Sequence, residues 1–187
     1  MKSRLFIAID LPLEIKSRIS ELQAELTTLG LPVEWEAPEK AHLTLNFLGD
    51  AHHTKFPEVI GSTQEVVKGF APFTLSPMFL ETLYNRHEAS LIYLGLAGDI
   101  DVLKDLQRAL QKSLNGIEFP QPIRFLPHIT IGRFKRIDPV VTKYSMDQVS
   151  NFEYKPLPEF TVNAVTIFKS LVSRQGSHYE KFREFSL

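Results

Sequence analysis

The stretch His42-Leu43-Thr44-Leu45-Asn46-Phe47-Leu48-Gly49 has a second copy in His128-Ile129-Thr130-Ile131-Gly132-Arg133-Phe134. Each copy opens with His, places Thr two residues on, and alternates apolar with polar or small residues, which is the period of a β-strand. His42 and Thr44 therefore share a face, with Leu43 and Leu45 on the other. His128 and Thr130 likewise stand against Ile129 and Ile131. The pattern predicts a face of two His and two Thr resting on its own apolar backing.

The spacing of the two copies recurs along the chain. His42 and His128 are 86 residues apart, as are Arg4 of Arg4-Leu5-Phe6-Ile7 and Ser90 of Ser90-Leu91-Ile92-Tyr93. Phe73-Thr74-Leu75 and Phe160-Thr161-Val162 are 87 apart. Three elements in one order at one spacing predict a duplicated strand–helix–strand–(helix)–strand unit, roughly 4–83 and 90–171, with a closing strand over 179–185. Ile15, Ile19, Leu22 and Leu26 after Pro12, and Leu103, Leu106, Leu110 and Leu114 in 100–114, give two amphipathic helices. A weaker helical pattern covers 57–70, and 139–149 is a further helical segment. Strands are expected at 4–10, 33–36, 42–48 (closed by Gly49-Asp50), 73–83 with a kink at Pro77, 90–96, 128–134 and, unbroken, 160–171. Residues 84–88 and 173–177 read as turns and 123–126 as extended. Duplication implies two related lobes about a pseudo-two-fold axis, with His42 and His128 on opposing walls of one cleft.

A chain of 187 residues, 43% hydrophobic with 14 Phe, fits one ordinary domain or two tightly packed lobes and has ample material for a core. It contains no Cys, which excludes disulfides, thiolate metal sites and a cysteine nucleophile. About five apolar residues separate Arg4 from Asp10, too few for a signal or a membrane span, so a cytoplasmic, membrane-free protein is expected. A net charge of −1 argues against wholesale coating of nucleic acid and leaves open recognition of a single phosphate or a strand end.

Two imidazoles with an ordinary pKa near 6.5 suit a reaction in which one proton is delivered and another removed near neutrality. Thr44 and Thr130 offer small hydroxyl donors for phosphate oxygens. Arg133 lies an odd number of residues after His128 and would face away on a regular strand; a bulge at Gly132 would re-aim it as a phosphate clamp. Such a set, without a carboxylate cluster, describes metal-independent attack on a phosphodiester. One His activates water and the other protonates the leaving ribose oxygen, the residues alone leaving open which does which. His52, His53, His87 and His178 are metal-ligand candidates by number alone, so no metal and no cofactor are expected.

The two His-x-Thr blocks resemble the 2H phosphoesterase superfamily. Arg4-Leu5-Phe6-Ile7-Ala8-Ile9-Asp10-Leu11-Pro12, His42 through Asp50, and Pro127-His128-Ile129-Thr130-Ile131-Gly132-Arg133 are similar to its RNA 2′,3′-cyclic phosphodiesterase branch, long called 2′-5′ RNA ligase. Ser170-Leu171 through Gly176 and Tyr179 is similar to that branch's C-terminal segment. The resemblance implies a bilobal α+β fold with an antiparallel sheet in each lobe, helices outside and a central cleft. It implies hydrolysis of RNA-terminal or nucleoside 2′,3′-cyclic phosphates to 2′-phosphomonoesters without metal, with 2′-5′ ligation as the reverse reaction. His42 would then protonate the departing 3′-oxygen, His128 would activate water, Thr44 and Thr130 would hold phosphate oxygens, and Arg133 matches the basic residue after the second motif. Many relatives carry an aliphatic residue where this chain has Phe134.

Partners are expected to be RNA ends bearing a 2′,3′-cyclic phosphate, or small cyclic nucleotides, bound by a monomer. Lys135, Arg136, Lys169 and Arg174 are candidates to track RNA phosphates, and Phe6, Phe47 or Tyr179 to stack a base. The competing readings are a 3′→5′ exoribonuclease, a 2′-5′ oligonucleotide phosphodiesterase, and an RNA-end binding module without turnover.

Overall fold

The computed structural model describes residues 2–83, 91–117, 119, 125–135, 139–173 and 176–187. In chain order these form β1 (Lys2–Asp10), α1 (Leu13–Thr27), β2 (Val33–Trp35), β3 (His42–His52), α2 (Phe56–Val67), β4 (Phe73–Leu83), β5 (Leu91–Gly98), α3 (Ile100–Asn115), β6 (His128–Phe134), α4 (Pro139–Ser150), β7 (Phe160–Val162), β8 (Ala164–Ser173) and β9 (Gly176–Ser186), with 3₁₀ turns at Pro38–Lys40 and His53–Lys55.

The strands join one antiparallel sheet in the order β7-β4-β5-β6-β3-β1-β8-β9, and β2 adds to β6. The order is symmetric about the β6/β3 junction: β5 and β1 flank it, then β4 and β8. Chain order and spatial order differ, because β4 belongs to the first half of the sequence yet pairs with β5 of the second, while β8 returns to β1. The two halves thus exchange their third strands. Cross-strand pairing also refines the repeat. Ile9 lies opposite Leu43 and Leu94 opposite Ile129, so β1 and β5 superpose at a step of one residue less than the motif strands.

One face of the curled sheet is apolar. Leu5, Ile7, Ile9, Leu43, Ile92, Leu94, Ile129 and Ile131 join the buried stripes of α1 (Ile15, Ile19, Leu22, Leu26) and α3 (Leu103, Leu106, Leu110, Leu114) in one contiguous core. Burial of each such side chain is worth about 1.5–3 kcal/mol. With its apolar face committed to the helices, the sheet leaves the other face for the cleft. No described helix is long and apolar enough to cross a membrane.

Two expected boundaries are corrected. Gly49 does not close its strand: it takes φ +64° inside β3, where Leu5 pairs with Gly49 and Phe6 with Phe47, and pairing runs on to His52. The glycine serves a bulge rather than a stop. Residues 160–171 are not one strand either. The ladder breaks at Asn163, whose carbonyl accepts from Leu187 N–H at 2.9 Å, so β7 can pair with β4 while β8 pairs with β1. The turn at 84–88 and residues 123–124 and 174–175 fall outside the described residues, while Val172 pairs with Ser177 and Ser173 with Gly176 at the expected turn.

Candidate active site

The two motifs meet where Leu43 of β3 pairs with Ile129 of β6, both side chains wholly buried. Antiparallel pairing then sets His42 beside Thr130 and Thr44 beside His128, all four on the face opposite the core. They line a cleft of about 560 Å³ together with Arg4, Phe6, Phe47, Arg133 and Tyr179.

Both imidazoles are tied alike. His42 Nδ1 donates to the Lys40 carbonyl at 2.6 Å, and His128 Nδ1 donates to the Leu126 carbonyl at 2.8 Å. A carbonyl oxygen can only accept, so each Nδ1 carries a proton and each Nε2 is the nitrogen left for proton transfer. The same two-residue reach backward occurs in both halves.

Their surroundings differ. His42 packs on Phe6 (ring centroids 4.9 Å apart) and meets Tyr179 edge-on at 5.2 Å, with Phe168 behind at 6.2 Å. Phe6 and Phe168 stack at 5.1 Å and form, with Ala8, a small buried cluster on this face of the sheet. His128 meets Tyr93 edge-on at 5.6 Å. Burial among the rings pushes the His42 pKa below its ordinary value. The Lys40 carbonyl and the charges of Glu36 and Asp10 act in the opposite sense, and Lys16 adds to the lowering. Burial raises the Tyr179 hydroxyl, as does Glu36, against a smaller pull from Arg133.

Arg133 reaches the cleft through the bulge expected of it. Ile92 pairs with Gly132 and Tyr93 with Thr130, which leaves Ile131 as the extra residue of β6. Side-chain alternation flips there, so Ile131 and Gly132 are both buried and Arg133 emerges on the side of the histidines. A side chain at 132 has no room: its Cβ would stand 2.9 Å from Trp35 Cε3 and 3.0 Å from Val33 Cγ1. An irregularity falls at the equivalent place in β3, where Ile7 pairs with Asn46 and Ala8 with Thr44, and it brings Phe47 into the cleft where the other half has Arg133. The bulge is held from behind by Gln23 of α1, whose amide donates to the Ile131 carbonyl at 2.8 Å and the Glu36 carbonyl at 2.7 Å. Glu36 in turn accepts from Arg133 Nε at 2.8 Å.

Of the expected nucleic-acid contacts, Tyr179, Phe6 and Phe47 line the cleft and Lys135 and Lys169 do not. Lys135 is exposed beyond the end of β6. The Lys169 ammonium lies 4.1 Å from the Phe182 ring centroid, packed toward α2. Arg136, Arg174 and His87 fall outside the described residues. His53 Nε2 lies 3.0 Å from Ser3 Oγ and His52 Nδ1 2.9 Å from Thr54 Oγ1, while His178 is exposed on β9. No three His, Asp or Glu side chains among the described residues converge into a group that could hold a metal ion. Sequence reasoning did not single out Arg4, Glu36, Lys40, Ser170 or Ser177, which also line the cleft. Arg4 had a signal, two residues before Phe6 on the same strand; the others come from elements that only the fold brings near.

The family model described as the 2′-5′ RNA ligase superfamily matches residues 11–174. The chain is 26% identical over 182 residues to an RNA 2′,3′-cyclic phosphodiesterase of Methanocaldococcus jannaschii, covering 97% of this chain and 99% of that one. It is 29% identical over 181 residues to the protein of the same name from Thermotoga maritima, covering 97% and 94%. Among solved structures, E. coli LigT complexed with 3′-AMP shares the fold with a TM-score of 0.78 at 23% identity, over 100% of this chain and 99% of that one.

Proposed function

The chain belongs to the 2′-5′ RNA ligase superfamily, and on that footing we propose that it hydrolyses RNA-terminal or nucleoside 2′,3′-cyclic phosphates to 2′-phosphomonoesters with its two histidines as acid and base. The observation that carries this reading is the crossed pairing at Leu43–Ile129, which gives each histidine the other motif's threonine as its neighbour. A phosphoryl group seated there would meet a hydroxyl donor and an imidazole Nε2 on each side.

In this mechanism His128 Nε2 takes a proton from water as the water oxygen bonds to phosphorus. His42 Nε2 gives its proton to the 3′-oxygen as the P–O3′ bond breaks, leaving the phosphate on O2′. The proton gained by His128 and the one lost by His42 are exchanged with solvent before the next turnover. Thr44, Thr130 and Arg133 hold the non-bridging oxygens, so the charge developing on them is met by fixed donors. Glu36 secures Arg133 through Nε. A base on the scissile nucleotide stacks on the aromatic wall that includes Tyr179 and Phe47. One chain supplies all of these groups, consistent with a single bilobal domain acting as a monomer. Joining a 2′,3′-cyclic phosphate to a 5′-hydroxyl is the same ring opening with that hydroxyl in place of water: P–O5′ forms, P–O3′ breaks, and a 2′-5′ phosphodiester results.

The reading is tested by incubating the purified protein, in EDTA, with an RNA oligomer ending in a 2′,3′-cyclic phosphate. The expected product is the same oligomer one water heavier, with a phosphatase-sensitive 2′-phosphate. A ladder of shortened oligomers would favour exonuclease action, and tight binding without turnover would favour an RNA-end binding module.

A further inference from the structure

The pseudo-two-fold that equates the histidines fails one strand away. Opposite His42 in β1 stands Asp10; opposite His128 in β5 stands Gly95. The difference is built in, because a Cβ at Gly95 would lie 3.3 Å from the Cβ of Phe79. A carboxylate therefore neighbours one histidine of the pair, and the corresponding position beside the other is a glycine closely packed by Phe79.

Asp10 is itself held on two sides. Its Oδ1 accepts from Lys16 Nζ at 2.6 Å and its Oδ2 pairs with Lys181 Nζ at 2.8 Å. Lys16 belongs to α1 and Lys181 to β9, so three elements converge behind His42. Burial alone would push the Asp10 carboxyl up, but the two ammonium groups outweigh it and hold the carboxyl below its ordinary value, as an anion. Lys16 makes a second bond, donating from Nζ to the Glu39 carbonyl at 3.1 Å. Glu39 precedes Lys40, whose carbonyl is the acceptor for His42 Nδ1. One lysine thus anchors both the carboxylate beside the ring and the 3₁₀ turn that fixes the ring's tautomer.

We propose that Asp10, clamped between Lys16 and Lys181, is a positioning group that makes His42 rather than His128 the proton donor of the pair. Its fixed negative charge favours the imidazolium of His42 against the aromatic wall that disfavours it, and Lys16 keeps Nδ1 on the Lys40 carbonyl so that the proton to be donated sits on Nε2. The other charged groups around this corner are Glu36, which acts with Asp10, the Lys16 ammonium, which acts against it, and Glu184, which shares Lys181 at 3.3 Å. The Lys16 charge opposes protonation of His42, so the benefit of the two lysines lies in holding Asp10 ionised and in place. This role for Asp10 rests on the acid–base reading of the two histidines.

Asp10→Asn keeps the shape and removes the charge, and Asp10→Glu keeps the charge. In ligand-free protein, NMR titration of the His42 ring, with the His128 signal as internal control, should show the His42 midpoint moved to lower pH in Asp10→Asn and closer to wild type in Asp10→Glu. With a 2′,3′-cyclic nucleotide as substrate, Asp10→Asn should lower kcat roughly tenfold at neutral pH with a smaller change in KM. The alkaline limb of kcat should shift to lower pH, so that acidification recovers part of the loss. Lys16→Met should lower kcat without that recovery, since it loosens the carboxylate and the tautomer lock while removing a charge that opposes protonation of His42. An unmoved His42 midpoint in a folded Asp10→Asn protein, or a loss of kcat equal at every pH, would overturn the proposal. Absence of turnover in the wild-type protein would refute the assigned reaction instead, while the ligand-free titration would still decide the role of Asp10.

Discussion

His42 and His128 share a backbone tie and a threonine neighbour, and burial among Phe6, Phe168 and Tyr179 makes the His42 ring costly to protonate. That cost is offset in part when an anion enters the cleft, because a negative charge beside the ring favours its protonated form. Binding and protonation are then linked: an anion that raises the His42 pKa must bind more tightly as pH falls from the raised, bound-state value toward the lowered, free-state value. Below the free-state value the gain is complete. Sulfate does not titrate in this range and isolates the effect. Calorimetric titration with sulfate in two buffers of different ionisation enthalpy should report proton uptake near neutrality, reduced in His42→Ala. Binding with no proton uptake would mean that the anion site lies away from His42.

At the scale of single elements, the bulges decide what the strands present. A regular β6 would have buried Arg133 behind the sheet; the extra residue at Ile131 turns it into the cleft, and Gly132 is the residue that lets Trp35 and Val33 close over that point. Gly132→Ala should force those side chains apart, at a cost of about 1–3 kcal/mol in urea unfolding, and should raise KM by loosening the aim of Arg133. Wild-type stability with unchanged KM would show that the close approach is not needed. The strands and helices were legible because their periods are: Ile15, Ile19, Leu22 and Leu26 on α1, and the His-x-Thr alternation on β3 and β6, point the same way at every level. What was illegible depended on partners remote in sequence. Nothing within 73–83 tells β4 to pair with the second half of the chain, and Asn163 does not announce that 160–171 changes partner there. Glu36 and Lys40 carry no motif and Asp10 lies in a block read only for its resemblance, so their relation to the histidines exists only once β1, β2 and the 3₁₀ turn are assembled. Lys135 and Lys169, picked for charge alone, went elsewhere: one beyond the end of β6, the other onto Phe182.

Across the molecule, an approximate symmetry builds the cleft and its breaches differentiate the two sides. The strand order is symmetric about β3 and β6, which brings two copies of one His-x-Thr frame side by side on one face of the sheet rather than onto opposing walls. Where the first half sets Asp10, the second has Gly95; where it sets Phe47, the second has Arg133. The closing hairpin β8–β9 walls His42 with Tyr179 and Phe168. On the proposed reading, a duplicated scaffold carries two unlike proton-transfer groups, which a reaction with one proton in and one proton out requires.

That division of labour is best tested with a cyclic nucleotide whose scissile 3′-oxygen is replaced by sulfur, a leaving group that needs no proton. On the oxygen substrate, His42→Ala and His128→Ala should each lose at least ~10²-fold in kcat with little change in stability. On the sulfur substrate, His42→Ala should recover most of the wild-type rate while His128→Ala stays slow. Recovery in His128→Ala instead would reverse the assigned roles, and recovery in neither, or full activity of either variant on the oxygen substrate, would contradict the two-histidine mechanism.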